Sequence, residues 1–286
     1  MLTSIRGLAA ATFAAGLALS ATPAFAETSD SSTDSATADA QAATVIDTYA
    51  VRAAEPVAQG TANYQEGGDG PGFAVSANVA LVSEYRFRGV DLSGGEIAIQ
   101  GGVDLTTDAG FYVGTWASSL DEDTVGYGST EVDVYGGFSS NLTEGLSFDV
   151  GAIAYMYPDA GPGDFDYLEV YGSLGFTFGP AEATVGVAYA PEQDSLGGTD
   201  NFYVYTDLSA GLPGTPVTLT GHLGYTDGFL TFTDDSKAFD WSIGAETTLY
   251  GPLSVGVSYV GAEGDIPAGA YDFTDDAVVF TLSASF

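Results

Sequence analysis

The sequence contains no cysteine, a single histidine, and five lysines and arginines against 39 acidic residues in 286. Without thiols there is no disulfide scaffold, no thiolate zinc site and no thioether-linked haem. The shortage of positive charge excludes nucleic acid as a partner, because phosphate contacts rest on Lys and Arg, and it argues against an anionic membrane surface. No apolar run is long enough for a spanning helix, which needs about 20 strongly apolar residues.

What is present falls into three parts. Residues 1–26 carry one early positive charge at Arg6, an apolar stretch from Gly7 to Leu19 and the small-residue pattern Ala24-Phe25-Ala26, which together read as a secretory signal peptide. Its removal leaves Arg52, Arg86, Arg88 and Lys237 as the only Lys and Arg, and a net charge of −35. The acidity is either a solvated, self-repelling surface or part of the function. Residues 27–72 are Ala, Ser, Thr, Asp, Gln and Gly with hardly an aromatic, and are expected to form a disordered acidic periplasmic tail, with "TVIDTYAV" at 44–51 the one piece able to order on a contact.

From Phe73 onward one rule holds. Period-2 segments alternate with Gly, Asp, Pro and Asn turns, and no 3.6-residue periodicity appears. Twelve strands are predicted, near 73–89, 96–106, 110–118, 130–140, 145–157, 165–178, 181–190, 201–212, 215–226, 238–250, 252–262 and 276–286. Each has one apolar face: in the last strand Val278, Phe280, Leu282, Ala284 and Phe286 oppose Ala277, Val279, Thr281, Ser283 and Ser285. In the sixth, Leu168, Val170, Leu174, Phe176 and Phe178 oppose Tyr167, Glu169, Tyr171, Ser173 and Thr177.

Such alternation suits a sandwich with its apolar face inside or a membrane barrel with its apolar face outside. The connections separate the two. Even-numbered ones are short ("TTDAG", "NLTEG", "FGPA", "LPGTP", "YGPL") and odd-numbered ones are mostly longer and rich in Asp and Gly. That parity predicts an all-β, antiparallel, up-and-down transmembrane barrel over 73–286, with both termini on the short-turn, periplasmic side. Phe111, Phe148, Phe178, Leu212 and Tyr250 gather beside the short turns as an aromatic and apolar girdle would.

Two resemblances extend this reading. The chain stops on an outward Phe286 closing an alternating strand, with Leu282 and Phe280 on the same face, and so resembles outer-membrane barrels recognised by the barrel-assembly machinery. "ALVSEYRFRGVDLSGGEIAIQGGVDL" and "GFYVGTWASSL", residues 80–120, resemble the opening block of the proteobacterial porins grouped as the TorF family, and "EVDVYGGF", "AYMYP", "LEVYGSLGF" and "VGVAYAPE" continue the likeness over most of 73–286. The resemblance implies an outer-membrane pore without catalytic residues.

The same register rule nominates the pore lining. Ala77, Val79, Leu81, Tyr85 and Phe87 are assigned to the lipid face of strand one, which turns Glu84, Arg86 and Arg88 inward. A charge at mid-bilayer on the lipid face costs about 2–4 kcal/mol. Glu131, Asp133, Asp149, Glu169, Glu182, Asp207, His222 and Glu246 are likewise expected inside. The two arginines then either shape a transverse field in a narrow pore or belong to an ion-pair network that braces or plugs it.

Chemistry beyond transport has little support. His222 lacks the serine two positions on that barrel lipases carry, since Leu223 and Gly224 follow it, and nothing sets Asp207 or Asp227 beside it in a defined geometry. "DEDTVGYGSTE" begins like a calcium loop at Asp121, but Val125 stands at a ligand position. No cofactor, metal or enzymatic activity is expected. The favoured function is a passive, cation-preferring outer-membrane channel for small solutes. A non-conducting structural or adhesive barrel, whose acidic loops bind partners or lipopolysaccharide, and a soluble sandwich are the alternatives.

Overall fold

The computed structural model describes residues 72–124, 126–264 and 272–286. The proposed leader at 1–26, nearly all of the tail at 27–72 and Val125 fall outside them.

Twelve strands close into one antiparallel barrel: β1 (Phe73–Val82), β4 (Ala98–Thr107), β5 (Phe111–Ser119), β6 (Thr130–Thr143), β7 (Leu146–Met156), β8 (Tyr167–Phe178), β9 (Ala181–Gln193), β10 (Thr199–Gly211), β11 (Val217–Gly228), β12 (Lys237–Tyr250), β13 (Leu253–Gly264) and β14 (Ala277–Ser285). Two short strands, β2 (Arg86–Phe87) and β3 (Val90–Asp91), pair only with each other. Each barrel strand pairs with its sequence neighbours, and β1 closes on β14 through Val79↔Ala284 and Leu81↔Leu282. The final residue seals the seam, Phe286 N–H donating to Ala77 O at 2.8 Å and Ala77 N–H to Phe286 O at 3.0 Å.

The side-chain distribution is inside out. Val79, Leu81, Leu168, Val170, Leu174, Leu219, Leu223, Ile243, Val278 and Phe280 are exposed on the outer face, while Gln100, Asp104, Glu131, Asp133, Asp149 and Glu169 are buried inside. Only a lipid surround makes that distribution favourable, and closure leaves no strand edge unpaired in it. Phe111, Phe138 and Phe148 pack together beside the short turns, with centroids 4.9 and 5.8 Å apart. Leu223→Arg, in the middle of β11, is expected to lower folding stability by about 2–4 kcal/mol, measured by refolding into lipid vesicles. Thr220→Arg, on the inward face, should cost far less.

Several strands run longer than the sequence predicts, β6 to Thr143 and β9 and β10 into their connection among them. β9 and β10 extend to Gln193 and Thr199, past a register shift between Thr199 and Asn201. The Gln193 amide caps the neighbouring strand by accepting from Leu168 N–H at 2.7 Å and donating to Leu168 O at 3.0 Å. That side chain imitates a backbone partner, so the Asp- and Gly-rich loop becomes a short 3-10 turn at Asp194–Leu196.

The first strand is the main correction. It ends at Val82 and does not continue to residue 89. The chain leaves the wall after Ser83, buries residues 85–93 inside the barrel and returns at Ala98, the register partner of Val82.

Candidate functional site

The inserted segment is a hairpin turned at Arg88-Gly89. Arg86 pairs with Asp91 and Phe87 with Val90. Arg88 at φ 49 and Gly89 at φ 78 are both left-handed, as a two-residue primed turn requires. Glycine is needed at 89 for a second reason. A Cβ there would stand 2.6 Å from the Ala262 Cβ and 3.0 Å from the Asp240 Cβ, so the tip is seated directly on the β12–β13 wall.

From that seat the hairpin reaches across the lumen. Tyr85, fully buried, donates its hydroxyl to Glu131 on β6 at 3.1 Å and sets its ring edge-on to Trp116 on β5 at 5.6 Å. Phe87 meets the Tyr155 ring of β7 at 5.9 Å. Arg88 donates two hydrogen bonds to Glu169 on β8, at 3.1 and 2.7 Å, and lies 4.1 Å from the ring centroid of Tyr203 on β10. Arg86 pairs with Glu84 and donates to Gly89 O and Phe273 O at 3.1 and 3.2 Å. Tyr85 and Phe87, expected on the lipid face, are therefore inside, and so are Arg86 and Arg88, at 4 % and 7 % exposure.

Aromatic residues of the long connections lie over this plug. Tyr127 packs 4.6 Å from Tyr157, 5.7 Å from Phe165 and 6.1 Å from Phe232, and Phe232 packs 5.6 Å from Phe273. Burial pushes the Tyr127 and Tyr157 hydroxyls above the ordinary tyrosine range. Asp159, exposed in the same connections, is held below the usual carboxylate range by hydrogen bonds from the Ser129 hydroxyl and backbone.

A second polar group faces the lumen from β10, β11 and β12. His222 places Nδ1 2.6 Å from Asp207 and Nε2 2.8 Å from Asp240, and the Tyr203 hydroxyl donates to Asp240 at 3.0 Å. His222 is thus held at both ring nitrogens, by Asp207 on one side and by Asp240 with the Tyr203 hydroxyl on the other. Among the described residues no three His, Cys, Asp or Glu converge as metal ligands.

A profile for bacterial proteins of unknown function, Gcw_chp, matches residues 65–286. The chain belongs to the Gcw_chp family. No curated protein matches it. Among solved structures it is similar to the outer membrane protein opdK from Pseudomonas aeruginosa, at 13% identity over 77% of this chain and 68% of that one, TM-score 0.41. OccAB3 from Acinetobacter baumannii aligns at 9% identity over 76% and 65%, TM-score 0.42. A refined porin structure aligns at 10% identity over 75% and 100%, TM-score 0.37.

In this Gcw_chp chain the residues nominated for the lumen occupy three levels. Glu131, Asp133 and Glu169 are buried against the hairpin, and Asp133, at 0 % exposure, has no hydrogen-bond partner for either carboxylate oxygen among the described residues. Asp149, Asp207, His222 and Glu246 lie further toward the short turns. Glu182 is exposed at that end, opposite Thr177 and Ser209. Glu84 sits half-buried at the root of the hairpin. Phe280, Leu282 and Phe286 are exposed on the outer face. Three internal acids escaped the sequence reading: Asp91 on the hairpin, Asp104, which accepts from the Tyr135 hydroxyl at 2.6 Å, and Asp240. The inward register of β4 and β12, extended two residues at a time from Gln100 and Glu246, reaches Asp104 and Asp240.

Replacing Gly89 by valine should unseat the tip, because both the space and the positive φ are lost. The expected result is a folded barrel with increased conductance and faster proteolysis within 84–96.

Proposed function

We propose that this chain is an outer-membrane, porin-like channel for passive diffusion of small solutes, with a preference for cations. The observation that carries the reading is the charge of the lumen. Asp104, Asp149, Asp207, Asp240 and Glu246 project inward from the wall, and the described Lys and Arg are Arg86 and Arg88 on the hairpin and Lys237 on the long-loop rim. Such a wall concentrates cations and repels anions. The TorF resemblance of residues 80–120 supports the pore, the predicted leader supports export, and the outward Phe280, Leu282 and Phe286 support handling by the barrel-assembly machinery. The acidic long loops remain candidate contacts for lipopolysaccharide through bridging cations. No catalytic role is assigned.

One observation favours a second reading, a braced barrel that does not conduct: the hairpin reaches across the lumen with buried contacts to five strands. Planar-bilayer recording of the refolded mature barrel, with the reversal potential taken across a salt gradient, separates the two. Stepwise currents with a cation-selective reversal potential are expected. Asp149→Asn with Asp207→Asn and Glu246→Gln should move that potential toward zero. A folded barrel that never conducts would establish bracing.

A further inference from the structure

Arg88 ends in a receptacle built by three strands of the wall. Glu169 on β8 accepts its two terminal amino groups side by side, a geometry that fits a planar guanidinium and is lost on an ammonium. Tyr155 on β7 holds the carboxylate by donating its hydroxyl to Glu169 Oε2 at 3.2 Å. The face of the guanidinium lies on the Tyr203 ring, and that ring is held in turn by its hydroxyl bond to Asp240. The receptacle thus sits on rigid barrel elements, and only its occupant sits on the hairpin.

Closure alone does not call for this arrangement. Tyr85, Phe87, Val90 and Leu92 already fasten the hairpin by apolar burial, and a buried ion pair seldom stabilises more than apolar side chains of the same volume would. The wall also remains electron-rich with Arg88 in place, since Glu131 and the Asp133 carboxylate, without a hydrogen-bond partner among the described residues, stand on β6 beside β7.

We propose that Glu169, Tyr155 and Tyr203 form a binding site for the guanidinium group of a solute, and that Arg88 is its resident occupant, displaced when such a solute arrives. Exchange of one guanidinium for another conserves the buried charge, so Glu169 is not left uncompensated. It also releases the hairpin at its tip. Guanidinium-bearing small molecules are then the class that the barrel admits, and this permeation step rests on the channel reading above.

The test is chemical rescue. In detergent, Arg88→Ala is expected to unfold at a lower temperature than the wild type, and millimolar methylguanidinium chloride to restore the difference saturably. Methylammonium chloride should bind at least ~10-fold more weakly, and Arg88→Ala with Glu169→Gln should show no saturable rescue. Equal rescue by both cations, or rescue that survives Glu169→Gln, would overturn the site. If Arg88→Ala does not fold, the wild-type barrel in a bilayer gives the second measurement: methylguanidinium, and not methylammonium, should raise mean conductance at least ~2-fold, and Glu169→Gln should abolish the rise. No selective rise there overturns the proposal. Saturable rescue in a barrel that never conducts keeps the site and removes the channel, whereas conduction without guanidinium selectivity keeps the channel and removes the site.

Discussion

Replacing residues 84–96 by a short Gly-Asn turn is expected to raise single-channel conductance by about fivefold or more while the barrel still closes, because a twelve-strand lumen is wide enough to conduct once cleared. The graft is geometrically simple. Val82 and Ala98 are register partners, so a tight turn can join β1 to β4 directly. None of the twelve barrel pairings includes a residue of 84–96, and Ser83, which exchanges hydrogen bonds with Phe280 at 2.9 Å, is retained. The cost is the burial of Tyr85, Phe87, Val90 and Leu92, at about 1.5–3 kcal/mol for each apolar side chain. Part of it is offset when Glu131, Asp133 and Glu169 regain water. Heated and unheated gel samples check closure and planar-bilayer recording checks conductance. A closed barrel with unchanged current would place the barrier in the aromatic residues of the long connections, and the hairpin would lose its role as the plug.

The same hairpin shows how far the sequence could be read. Alternation and loop parity were enough for twelve antiparallel strands, an outward apolar face and the inward register of Glu131, Asp133, Asp149 and Glu169, because each follows from the two-residue pleat. Periodicity could not separate strand one from the segment after it. "SEYRFRG" alternates as a membrane strand does, and a hairpin folded in the lumen has the same period as a strand in the wall. Length held the missing signal: a membrane strand needs about 9–11 residues, and the predicted span 73–89 overshoots that range. Arg88-Gly89 at its end, flanked by Phe87 and Val90, was a turn signal hidden by the basic residue in a place where Asn is usual. The partners were less legible still. That Arg88 meets Glu169 depends on a contact across 81 residues that only the closed barrel with the hairpin folded inside it provides, and that His222 lies between Asp207 and Asp240 depends on the register of three consecutive strands, which alternation leaves open.

Removing Arg88 alone is expected to cost more stability than removing Arg88 and Glu169 together. Arg88→Ala leaves Glu169 buried beside the hairpin without its cation, and breaking a buried pair from one side costs about 3–5 kcal/mol. Arg88→Ala with Glu169→Gln removes the uncompensated carboxylate, and most of that loss should return, read as the coupling in a double-mutant cycle of denaturant unfolding. Glu169→Gln by itself should be the milder single change. Asp133, whose oxygens lack partners among the described residues, lies opposite Tyr155, the same tyrosine that binds Glu169, so an alternative carboxylate for the guanidinium is already close. Purely additive losses would mean that water reaches Glu169 while the hairpin is seated, and the plug would then be leaky. An asymmetry in the expected direction identifies the negative wall as the fixed element and the arginine as the part that can be exchanged.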